Sequence, residues 1–103
     1  IIAADRNNFG ITGVAHDAKL MPIRITNAQD NWNGNLANAI RYAVDNGARV
    51  INLSLWWTDS PQLRDAIAYA ANRNVITVTS ALNEGASQPS NPARYATQFG
   101  VAV

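Results

Sequence analysis

Three short runs of branched apolar residues, separated by two stretches whose apolar residues recur at helical spacing, confine this chain to an alternation of strand and helix. The runs are Leu20 to Ile25, Val50 to Leu55 and Val75 to Ser80. Between the first two, Leu36, Ala37, Ile40, Ala43 and Val44 fall on one helical face, and Gly47 supplies a stop. Between the second and third, Leu63, Ala66, Ile67 and Ala70 repeat the pattern. Ser60 and Pro61 precede it as a capping serine and a first-turn proline, and Asn74 can take a left-handed stop. The spacing predicts helices over 36–46 and 61–73. Strands joined by single helices lie parallel with right-handed crossovers, and nearly continuous apolar strands call for helices on both faces of the sheet. The expected class is therefore α/β with a parallel sheet. Residues 1–18 and about the last 18, rich in Asn, Gly, Ser and Pro, read as loops.

Composition narrows the functions. The chain is 48% hydrophobic with a net charge of +1, which fits one packed core and leaves no basic cluster for phosphates, so nucleic acid is not an expected partner. No apolar run approaches the length of about 20 residues that a membrane span needs. Cysteine is absent, which excludes disulfides, thiolate metal sites and cysteine nucleophiles. Both ends, Ile1-Ile2-Ala3-Ala4 and Gly100-Val101-Ala102-Val103, read as regular structure that has been cut. Neither GxGxxG nor GxxxxGK[ST] is present, which argues against a free-standing nucleotide-binding domain.

In a parallel sheet, function sits beyond the carboxyl ends of the strands. Those ends lead here into Ser54-Leu55-Trp56-Trp57 and Ser80-Ala81-Leu82-Asn83-Glu84-Gly85. On spacing alone Asn83 is a turn residue beside a glycine. It is also a neutral donor that can face developing negative charge. Asp5 to Ile11 is by composition a polar turn, and Asp30, Asn31, Asn33 and Asn35 read as a solvated turn and helix start.

The strings ARVINLSL, LRDAIAYA, SALNEG and NPARY, in this order, resemble the central part of the subtilisin-like serine peptidases. There the corresponding strings run close to ARVINMSLG, LRDAIAYA, AAGNEG and YPARY. Upstream, NNFGITGVAHDAKLMPIRI resembles the loop and strand that follow the family's HGTHVAG helix, and Ile1 to Ala4 resembles the end of that helix. The resemblance implies a partial subtilisin-like three-layer fold, with residues 1–103 the central part of a domain incomplete at both ends. It implies a serine endopeptidase acting on peptide or protein substrates. Asn83 then matches the side-chain donor of the oxyanion hole. Ser54, Leu55 and Trp56 match the strand edge that pairs with substrate, and Ser80, Ala81 and Leu82 one wall of the pocket before the scissile bond. Glu84 would bias the pocket mouth electrostatically.

The same resemblance places the catalytic Asp, His and Ser outside the chain. His16 stands in GVAHDAKL, where the family often has proline, and none of the five serines sits in a GTSMA context. By the same resemblance Asp5, Asn7, Phe9 and Ile11 match an incomplete calcium loop, Asn7 through its side chain and the others through carbonyls. Pro92 stands where the family's Tyr-Pro bond is often cis, so a cis Asn91-Pro92 bond is expected. Trp56 and Leu82 depart from the pattern by replacing glycines, which narrows a cleft that needs close approach. The tryptophans would alternatively pack against the following helix. The rival from another class is a catalytically dead subtilisin-like module that binds peptide or protein.

Overall fold

The computed structural model describes residues 1–25 and 32–103, so Asp30 and Asn31 of the expected solvated turn lie outside it. Helix α1 spans Trp32–Asp45 and is followed by strand β1, Val50–Leu53. Helix α2, Pro61–Ala71, leads to strand β2, Ile76–Thr79. A 3-10 turn (Ala93–Tyr95), a short helix α3 (Ala96–Phe99) and strand β3 (Gly100–Ala102) complete the order.

Local chemistry sets the helix ends. The Ser60 hydroxyl accepts from the Leu63 amide at 3.2 Å, and Pro61 opens α2 with no amide to leave unpaired. Both long helices stop in the same way. After α1, Gly47 turns to φ 87°, so that Ala48 N donates to Ala43 O at 2.9 Å and Gly47 N to Val44 O at 3.1 Å. After α2, Asn74 at φ 59° lets Val75 N reach Ala70 O and Asn74 N reach Ala71 O, each at 3.0 Å. These bonds satisfy carbonyls that the helices themselves cannot.

The sheet is parallel in the order β1-β2-β3, with Val50 opposite Ile76, Leu53 opposite Thr79, and Thr77 opposite Gly100. Ile51 and Leu53 turn one face toward a core built from Leu36, Ala37 and Ile40 of α1 and Leu63, Ala66, Ile67 and Ala70 of α2. Leu36, Ile40, Leu63 and Ile67 are almost wholly buried. At about 1.5–3 kcal/mol each, they outweigh a cap worth about 1 kcal/mol. The described helices cover this face. The opposite face carries Val50, Ile76 and Val101, which are 58%, 50% and 47% exposed, and this apolar second face is what the expectation of cover on both sides rested on. Across the outside of the helix pair, the Tyr69 hydroxyl donates to Asp45 Oδ1 at 2.6 Å while the Arg73 guanidinium lies 3.6 Å above the ring.

Three expectations need correction. Leu20 to Ile25 forms no strand: Leu20 and Met21 are exposed, and Pro22 has no amide to give to a ladder. Ile1 to Ala4 is not helical. Instead Ile1 O, Ile2 O and Ala4 O accept from Val14, Ala15 and Gly13 at 2.8–3.0 Å. About the last 18 residues, expected as loop, contain α3 and β3, the latter at the apolar end that reads as regular structure.

Gly100 sits where β3 crosses closest to β2. A Cβ there would lie 2.5 Å from both the carbonyl oxygen and the hydroxyl of Thr77. Gly100→Ala is expected to lower stability by about 1–3 kcal/mol, read from the urea midpoint of the protein that contains this chain. An unchanged midpoint would mean that the two strands are not held this close.

Candidate active site

The connections that follow β1 and β2 leave the sheet at the same edge, since the strands are parallel and adjacent. Leu53 is opposite Thr79, so Ser54 and Ser80 are the next residues of neighbouring strands. From there the two chains part. Ser80 N still donates to Leu53 O at 3.3 Å, and Ala81 N to Val103 O at 2.8 Å, so the chain after β2 stays between its neighbours. The chain after β1 peels away and exposes Ser54, whose hydroxyl accepts from Asn52 Nδ2 at 3.0 Å.

The next three side chains divide between core and solvent. Leu55 packs partly against the core, Trp57 is only 7% exposed within it, and Trp56 is 63% exposed. The packing alternative thus holds for Trp57, while Trp56 stands at the surface. On the neighbouring connection the Ser80 hydroxyl accepts from the Leu82 amide at 3.2 Å, replacing the sheet bond that the chain has lost. Leu82 then adopts φ 65°, a left-handed conformation that costs an L-residue about 1–2 kcal/mol. Glycine would take it without strain, and Gly85 does so at φ 62°. Asn83 and Glu84, between these two turns, are exposed, as is Ala81.

The two connections are also tied farther out. Trp57 N donates to Asn91 O at 2.8 Å, just before the Asn91-Pro92 bond, which is cis as expected. The Tyr95 hydroxyl donates to Asp59 Oδ1. Partial burial, then the hydrogen bond to Asp59 and its negative charge, push the Tyr95 phenol up to about 12. Sequence reasoning missed this pair. Its members stand 36 residues apart, and no local period links them.

The other sequence candidates lie in the first segment. His16 Nδ1 is 3.1 Å from Asp17 Oδ1, its neighbour in an exposed turn. In the loop at 5–12 the Asn7 carboxamide oxygen accepts from Phe9 N at 3.1 Å, and bonds from Gly13 to Ala4 and from Ala15 to Ile2 close the base. Asp5, Asn7, Phe9 and Ile11 are all exposed there. One oxygen from each is short of the six to eight that calcium takes. Among the described residues no group of three or more His, Cys, Asp or Glu is placed to hold a metal ion. No described helix is long and apolar enough to cross a membrane.

The model of the Subtilase family matches residues 1–103. The chain belongs to this family. Thermitase of Thermoactinomyces vulgaris is 37% identical over 97% of this chain and 37% of its own length. Subtilisin BL of Lederbergia lenta is 37% identical over 99% of this chain and 39% of its own. Among solved structures, a variant of the protease domain of PatA superposes with a TM-score of 0.58 at 30% identity, over 66% of this chain and 26% of that one. The prenylagaramide maturation protease PagA gives 0.57 at 29%, with the same coverage. This subtilase chain therefore spans less than two-fifths of the curated relatives named here.

The raised Tyr95 phenol makes a pH prediction. Its contribution to stability is complete below the ordinary tyrosine value of 10, where the hydroxyl is protonated in both folded and unfolded states. It is lost as pH rises through about 12, because the unfolded chain ionises first. The stability difference between wild type and Tyr95→Phe should therefore shrink from pH 9 to pH 12 in urea unfolding. A difference that stays flat would place the phenol outside the influence of Asp59.

Proposed function

We propose that the protein containing this chain is a subtilisin-like serine endopeptidase that hydrolyses peptide bonds through an acyl-enzyme, and that residues 1–103 form the central part of its catalytic domain. The observation that carries this reading is the unbroken family match over the whole chain, with relatives whose names are those of proteases. It is supported by two adjacent parallel strands whose carboxyl ends lead into the exposed Ser54 and Trp56 and into the exposed Asn83. In this role the Asn83 carboxamide donates to the oxyanion of the tetrahedral intermediate. It is neutral, so its dipole needs no counter-charge and is available at any working pH. Ser54, Leu55 and Trp56 pair with the substrate backbone as an added strand. Ser80, Ala81 and Leu82 wall the pocket before the scissile bond, and Glu84 favours positive charge at its mouth. Nucleophile, base and orienting carboxylate would come from elsewhere in the protein, because His16 is held by its own neighbour in a surface turn.

The loop at 5–11 would contribute oxygens to a structural calcium ion, with Asn7 giving its side chain and Asp5, Phe9 and Ile11 their carbonyls. Oxygen donors in an exposed turn suit that ion, and residues beyond the loop must complete the shell.

Asn83→Ala in the full-length peptidase should lower kcat about 100- to 1000-fold with a smaller change in KM, the magnitude known for loss of subtilisin's own oxyanion asparagine. An unchanged kcat in an active parent would remove Asn83 from the oxyanion hole.

The bulk at Trp56 and Leu82 bears on which side chains the pocket accepts. A leucine where relatives of this type keep a hydrogen atom occupies volume that a bound side chain needs, and overfilling a site costs about 1–3 kcal/mol, a factor of about 5 to 150 in binding. Replacing both residues by glycine should improve cleavage after Phe or Leu more than after Ala. The same preference profile in parent and double variant would mean that the bulk points away from the cleft.

A further inference from the structure

The segment 54–60 has no regular structure of its own, so its shape depends on what grips it between β1 and α2. At one end it leaves the ladder at Leu53, and at the other Ser60 caps α2. Between them, two ties reach across to the connection that follows β2. One tie is backbone to backbone, from Trp57 N to Asn91 O at 2.8 Å. The other is a side chain: the Tyr95 hydroxyl donates to Asp59 Oδ1. The Tyr95 ring meanwhile packs against the core, so the hydroxyl is carried on a fixed base rather than on a free side chain.

We propose that Tyr95 is a positioning residue for the cleft: by latching Asp59 to the turn at 93–95, it fixes the edge 54–57 relative to the connection that carries Asn83. This rests on the peptidase reading above. The physical need is plain. An extended peptide paired with Ser54 to Trp56 must reach the oxyanion donor with its scissile carbonyl in register, and a misplacement of 1 Å is enough to spoil such geometry. Exposed Trp56 is held only through its neighbours. The backbone tie at Trp57 fixes one point, where the buried ring also anchors the segment in the core. The latch at Asp59 supplies a second. It also joins the edge to the connection bearing Asn83, so that the two move together.

The test is steady-state kinetics on the full-length peptidase with two probes, a peptide amide of four or more residues and a single-residue ester that reaches no strand edge. Tyr95→Phe keeps the ring and removes the hydroxyl. It should raise KM for the peptide about 3- to 10-fold, the worth of one ordinary hydrogen bond, while kcat/KM for the ester stays within about twofold. Asp59→Ala, a change at an exposed residue, removes the same bond and should give the same split should Tyr95→Phe not fold. Asp59→Asn keeps an acceptor oxygen and should restore most of the loss. The double variant should be no worse than either single one, because both remove one interaction. Equal losses on both probes, additive losses in the double variant, or an unchanged peptide KM in an active parent would each overturn the role. A parent that cleaves neither probe overturns the peptidase reading, and the positioning role falls with it.

Discussion

Everything placed at the proposed site depends on the parallel pairing of β1 with β2. Antiparallel neighbours would send their carboxyl ends to opposite edges, and the exposed strand edge after Leu53 would lie a full strand length from the turn with Asn83. Parallel pairing needs a crossover, and α2 supplies it. The buried row Leu63, Ala66, Ile67 and Ala70 is therefore more than a core: it pins the crossover to the sheet and brings both exits to one edge. The packing of α1 on α2 thickens the same support from behind.

How much of this was legible in the sequence varies with how local each cause is. The helices at 36–46 and 61–73 were readable because their apolar period, their caps and their left-handed stops all lie within a few residues of one another. The two strands that form were readable for the same reason. Leu20 to Ile25 has the branched composition of a strand but contains Pro22, which has no amide for a ladder, and the three residues of β3 carry no period of their own. At the proposed site, Asn83 stands out through the order of the surrounding strings, since its own neighbourhood says only that the chain turns. The tie between Asp59 and Tyr95 depends on two loops meeting in space, which no window along the chain can show. The division of the tryptophan pair, one buried and one exposed, likewise follows from where β1 ends.

Leu82 illustrates a local rule broken at a place of interest. The chain sets a branched residue at a left-handed backbone position where glycine would be unstrained, and the Ser80 hydroxyl holds it there by taking its amide. Such strain persists only where surrounding structure over-determines it. Here the determinants are visible: the chain before it is locked between Leu53 and Val103, and the chain after it turns again at Gly85.

The sheet face opposite the helices has a practical side. Val50, Ile76 and Val101 form a greasy band across all three strands, and a net charge of +1 offers little repulsion between copies. In a purified preparation of residues 1–103 alone, this band would favour association between copies. Detergent, a solubilising fusion or charged substitutions at these three positions are then the means of keeping such a preparation dispersed.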